Sequence, residues 1–188
     1  RTPGLADWTS GRFALRATLP VGQGMWPAFW MLPTPVTSIP SGGYGTWPSS
    51  GEIDIMEMVG NDPDRIHGTI HYGNECCDSL NPDGASILLS PPGTAHNDFH
   101  IYAVEWEEDE MRWYVDDVLY QTITWWDSVG NPFPAPFDVD FHLLLNLAVG
   151  GNWPGNPDGT TVFPQDYVID YVRVYQVADT ISVFDDME

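Results

Sequence analysis

The chain has 188 residues, 43% hydrophobic and 13% aromatic, enough to bury the core of one domain but not of two. Its 27 Asp and Glu face only 6 basic residues, all Arg, which gives a formal net charge of −21. Such a surface repels phosphate backbones and anionic bilayers and disfavours strongly anionic substrates, so nucleic-acid and membrane partners are excluded.

Read in order, the chain opens with RTPGLADWTSGRF, which reads as the middle of a longer sequence; an export signal removed upstream is expected, and with it a secreted protein. GRFALRATL (11–19) alternates apolar and polar residues, as a half-buried strand does. After the turn VGQG comes the aromatic strand MWPAFWML (25–32), then a loop rich in Pro, Gly and Ser over 33–50. GEIDIMEMV (51–59) and RIHGTIHYG (65–73) follow as strands, the second with His67, Thr69 and His71 on one face. Residues 74–98 carry turn chemistry apart from a short apolar piece at 87–89. They include Cys76 and Cys77, open to a vicinal disulfide, to two free thiols or to pairing with a partner outside this sequence. FHIYAVEWE (99–107) precedes MRWYVDDVLYQTIT (111–124), which folds as a hairpin about Asp116 and Asp117. A Pro-rich loop leads to DFHLLLNLAVG (140–150), then GNWPGNPDGT and the closing strand YVIDYVRVYQV (167–177). Residues 178–188 form an acidic tail or linker. Some eight strands without helices imply an all-β fold, an antiparallel two-sheet sandwich or jelly roll with one concave face.

GEIDIMEM holds the chemistry. In a regular strand Glu52, Asp54 and Met56 share a face, and Glu57 points the other way. One extra residue between Asp54 and Glu57 resets the alternation and returns Glu57 to the first two acids; Met56 is the natural candidate. The Cα atoms of Glu52 and Glu57 would then be roughly 13 Å apart. Leaning side chains can close much of that gap, toward the carboxyl separation of about 5–5.5 Å that retaining glycoside hydrolysis uses. Most acids of so charged a chain face solvent, but three among Ile53, Ile55, Met56 and Met58 mark a site.

The chain resembles the family 16 glycoside hydrolases, in particular laminarinase-like endo-β-1,3-glucanases. The resemblance is carried by GEIDIME (51–57), LPVGQGMWPAFWML (19–32), HGTIHYG (67–73), FHIYAVEW (99–106), LLNLAVGGNWPG (144–155) and IDYVRVYQ (169–176). It implies a concanavalin-like jelly roll over residues 1–177, with about two opening strands absent. It also implies retaining hydrolysis with Glu52 as nucleophile, Glu57 as acid/base and Asp54 as the assisting carboxylate between them. Glu52 is expected ionised, and Glu57 protonated because two neighbouring anions raise its pKa. Rival readings keep the fold but change the polymer, to mixed-linkage β-1,3-1,4-glucan or agarose, or leave a non-catalytic glucan-binding module.

Nine Trp are many for this length. Trp106 and Trp113, inside strands, read as core. By resemblance, Trp26, Trp30 and Trp47 are sugar platforms, and Trp153 lies in a loop that can cover the cleft. The resemblance further implies Arg16 as a binder of substrate hydroxyls and His71 as a neighbour of the catalytic centre. Asn146, alone among leucines, needs a polar partner that the cleft would supply. It implies Asp170 as a ligand of a structural Ca²⁺, with no cofactor for catalysis. The expected partner is β-glucan polysaccharide, bound by a monomer.

Overall fold

The computed structural model describes residues 1–34, 43–73, 83–127 and 130–176. Cys76, Cys77 and the tail 178–188 lie outside the described residues. Ten strands follow one another: β1 (Gly11–Thr18), β2 (Met25–Pro33), β3 (Glu52–Glu57), β4 (Arg65–His71), β5 (Asp83–Leu88), β6 (His100–Trp106), β7 (Met111–Val115), β8 (Val118–Ile123), β9 (Phe141–Val149) and β10 (Val168–Tyr175). They form two antiparallel sheets, ordered β5-β4-β3-β2-β9 and β10-β1-β6-β7-β8. The all-β sandwich expected from the alternating strands is the fold observed, and no helix is long and apolar enough to cross a membrane among the described residues.

The two sheets pack through the apolar positions of each alternating strand. β1 contributes Phe13, Leu15 and Ala17, β2 contributes Phe29 and Met31, and β4 contributes Ile66 and Ile70. Trp106 and Trp113 are fully buried, as expected of core indoles. Asp116 and Asp117 take positive φ values of 48° and 61°, and Val115 pairs directly with Val118. That is the two-residue turn whose twist suits a hairpin.

β5 is the strand that the pattern concealed. Its sequence DGASIL opens on a turn-like dipeptide and supplies few apolar residues, because it pairs only with β4 at the edge of its sheet. An edge strand buries little, so it needs no clear alternation.

The first sheet holds the acids on its outer face. β3 pairs with β4 as Asp54↔Thr69 and Glu57↔His67, which leaves Ile55 and Met56 together opposite Gly68. Two residues against one is a β-bulge. Both side chains enter the core, with Ile55 at 1% and Met56 at 0% exposure, and so the alternation resets. The bulge therefore lies where the sequence predicts it, with one correction. Against β2, Met56 retains a partner in Phe29, and Ile55 is the residue without one.

Candidate active site

Glu52, Asp54 and Glu57 share the outer face of the first sheet because the doubled core pair Ile55–Met56 returns the third acid to the first two. β2 and β4 flank them. Trp30 pairs with Asp54 and Ala28 with Glu57 on one side, while His71 pairs with Glu52 and His67 with Glu57 on the other. Each outer acid receives an indole N–H: Trp47 Nε1 donates to Glu52 Oε2 at 2.8 Å, and Trp26 Nε1 donates to Glu57 Oε1 at 2.9 Å. His71 Nε2 lies 3.1 Å from Asp54 Oδ2.

Burial dominates the electrostatics. Glu52 is pushed up to about 8, first by desolvation and then by the charge of Asp54; His71 and the Trp47 N–H oppose the rise. Asp54, 2% exposed, is held well above the usual carboxylate range by burial and by Glu57, and a hydrogen bond with Glu52 counters this. Glu57 is raised by burial, against the pull of Trp26 and His71. The expectation that the neighbouring anions raise Glu57 is thus corrected: burial is the cause that raises it. Glu52 is itself raised rather than simply ionised. Burial raises all three carboxyls together, because each loses water that would stabilise its charged form.

The aromatic residues divide into two groups around the trio. Trp47, its indole 5.8 Å from the His71 ring, helps line a hollow of about 330 Å³ with Trp30, Leu32, Glu52 and His142. Trp30 donates to Asn146 Oδ1 at 2.7 Å, which supplies the polar partner that Asn146 requires. Asn146 is exposed, because β9 opens to solvent along its second half. At the Glu57 end, Trp153 makes edge contacts with Trp26 and His67, at ring separations of 5.6 and 4.9 Å. His67 and His142 complete these walls and were missed as site residues. The pairing of His67 with Glu57 is the signal that could have revealed the first, once the bulge was placed. A larger hollow, about 710 Å³, lies on the second sheet around Arg12, Glu105 and Tyr175 and touches none of the three acids.

Arg16 is not brought to the cleft, contrary to expectation. It lies on the outer face of β1 in the second sheet, where Nη1 bonds Asp170 Oδ2 at 2.6 Å and the guanidinium stacks over Phe99 at 4.6 Å. The whole core separates it from Glu52. The same ion pair bears on the Ca²⁺ expected at Asp170. The carboxylate already serves a guanidinium, and the one cluster of three His, Cys, Asp or Glu among the described residues is Glu52, Asp54 and His71.

The model of glycosyl hydrolases family 16 matches residues 6–173. The chain belongs to that family. A β-glucanase from Rhodothermus marinus is 46% identical over 183 residues, covering 93% of this chain and 60% of that protein. A glucan endo-1,3-β-glucosidase A1 from Niallia circulans is 43% identical over 173 residues, 88% of this chain and 24% of that protein. The laminarinase catalytic domain of Thermotoga maritima superposes with a TM-score of 0.78 at 40% identity, covering 95% of this chain and 68% of that domain. The chain therefore spans little more than half of the first of these relatives, and a quarter of the second.

Proposed function

We propose that this chain forms the catalytic site of an endo-acting, retaining β-1,3-glucanase that cleaves laminarin-type glucans. One observation carries the reading: the bulge in β3 sets Glu52, Asp54 and Glu57 on one face, with an indole N–H on each outer acid. A binding module gains nothing from burying three carboxyls together, whereas hydrolysis needs one to attack and one to hold a proton.

In this reading the carboxylate of Glu52 attacks the anomeric carbon while Glu57 gives its proton to the departing glycosidic oxygen. The C–O bond breaks and a glycosyl ester forms on Glu52. That step removes the negative charge of Glu52, so Glu57, now ionised, takes a proton from water as the water oxygen attacks the same carbon. The ester opens and the product keeps its anomeric configuration. Asp54, hydrogen-bonded to Glu52 and 3.1 Å from His71, holds the nucleophile in place and shares its proton load. The indoles of Trp26, Trp30, Trp47 and Trp153 offer apolar faces for sugar rings. We read the protein as a secreted monomer acting on β-glucan polysaccharide, with no cofactor in the chemistry.

Product analysis on laminarin tests this. The reading requires internal cleavage to oligosaccharides, a first product with the β configuration by NMR, and loss of at least about a thousandfold in kcat for Glu52→Gln. Laminarin hydrolysis left intact by Glu52→Gln would sink it. Preferential cleavage of mixed-linkage glucan or agarose would retain the mechanism and move the substrate.

A further inference from the structure

The bulge in β3 interrupts the ladder to β4, where Ile55 and Met56 face Gly68 alone. A buried carbonyl at such a break is costly unless it finds a donor. Asp54 finds its donor in the other sheet. The indole Nε1 of Trp113, on β7, donates to the backbone oxygen of Asp54 at 2.9 Å. Trp113 is fully buried, so this bond crosses the core and ties the acid-bearing strand to the sheet behind it.

The bond depends on a notch. A Cβ at Gly68 would lie 2.3 Å from Trp113 Cδ1 and 2.6 Å from the hydroxyl of Tyr120. Both distances are far inside van der Waals contact, so only a residue without a side chain admits the indole here. The doubled pair Ile55–Met56, the bare Gly68 and the indole of Trp113 form one unit. The direction of the Asp54 carbonyl is set by ψ of Asp54, and the same torsion sets how the following residues, and hence Glu57, are aimed.

We propose that Trp113 is a positioning residue for the acid trio: by holding the Asp54 carbonyl it fixes the bulge that keeps Glu57 on the face of Glu52, with Gly68 providing the space. The burial of three carboxyls opposes this arrangement, because mutual repulsion and desolvation favour turning one of them toward water. The indole N–H resists that relaxation from beneath. The proposal rests on the assignment of Glu52 and Glu57 given above.

The test replaces Trp113 in the full-length protein by 3-benzothienylalanine, which keeps the indole shape and puts sulfur in place of the N–H, with Trp113→Phe beside it. On laminarin the benzothienyl protein should lose about tenfold or more in kcat with KM within about twofold, the pattern of misplaced catalytic groups. Its alkaline limb should move down by roughly half a unit, since a loosened Glu57 gives up part of the burial that raises it. Unchanged kcat and pH profile would overturn the proposal. So would a fall in kcat that merely tracks loss of folded protein, measured by circular dichroism, with the limb unmoved. Glu57→Gln run in parallel separates the two claims. If it is inactive while the benzothienyl protein is unaltered, only the role of Trp113 fails; if Glu57→Gln is fully active, the acid assignment fails and the proposal with it.

Discussion

The indole N–H of Trp47 meets Glu52 Oε2 at 2.8 Å, from a loop only five residues upstream. That single bond works against burial and against Asp54, which together lift the carboxyl to about 8. An N–H donor favours the ionised form, and the proposed nucleophile must be ionised. Trp47→Phe keeps an aromatic face and removes the donor, so Glu52 should hold its proton to higher pH. The acid limb of kcat/KM on laminarin is expected to rise by up to about one unit. A limb that stays in place, or falls, would contradict the assignment of Glu52.

Trp26 stands in the same relation to Glu57, at 2.9 Å, and lowers a pKa that burial raises. Glu57 must be protonated for the first step, so the sign of the effect on the profile is read at the other end. Trp26→Phe should raise Glu57 further and carry the alkaline limb upward, again by up to about one unit. The two variants thus move opposite limbs in the same direction. If Trp26→Phe moved the acid limb alone, the roles of the two glutamates would be exchanged.

Burying Glu52 has a cost in stability that depends on pH. Its carboxyl is raised from 4.5 to about 8 in the folded protein. Below pH 4.5 it is neutral in both states and costs nothing through this route. Between there and pH 8 the folded state holds a proton that the unfolded state has lost, so stability falls as pH rises. Glu52→Gln removes that dependence. The variant should match the parent protein at pH 4 and exceed it at pH 8 by on the order of 4 kcal/mol, roughly 10 °C in the unfolding midpoint. Calorimetry at both pH values checks this, and an equal shift at both would mean that packing, not charge, is responsible.

Arg16 provides a test of placement. It sits on the far sheet, in a half-exposed pair with Asp170. Arg16→Ala should leave kcat and KM on laminarin within about twofold and cost no more than about 1 kcal/mol of stability. A large rise in KM would return Arg16 to the substrate.

How far the sequence could be read follows from what each signal depends on. Alternation within a strand is local, and it gave the faces of β1 and β4 and the core positions of both. The bulge was legible too, since three acids and four apolar residues in GEIDIMEM can satisfy both water and core only if two neighbours turn inward together. Which of the two lacks a partner was not legible. That depends on the register with β2, where Phe29 takes Met56 and leaves Ile55 unmatched. β5 escaped because an edge strand pairs through its backbone and buries few side chains.

The misplacement of Arg16 has the same origin. Alternation correctly sets it outward on β1, opposite Phe13 and Leu15, but a sandwich has two outward faces and no local pattern distinguishes them. Long-range pairing does: β1 joins β6 and β10, while β2, β3 and β4 form the other sheet.

The sequence by itself determined the fold class, the faces of the alternating strands such as β1 and β4, and the presence of an acid trio made possible by a doubled core pair. Those follow from hydrophobic periodicity and the cost of burying charge, which act over a few residues. Only the tertiary structure decided which indole serves which acid, that Arg16 faces away, and that Trp113 reaches through the space above Gly68 to the Asp54 carbonyl. Trp113 and Asp54 are 59 positions apart along the chain and in different sheets. A hydrogen bond holds only over about 3 Å, and nothing short of sheet-on-sheet packing brings such residues within its range.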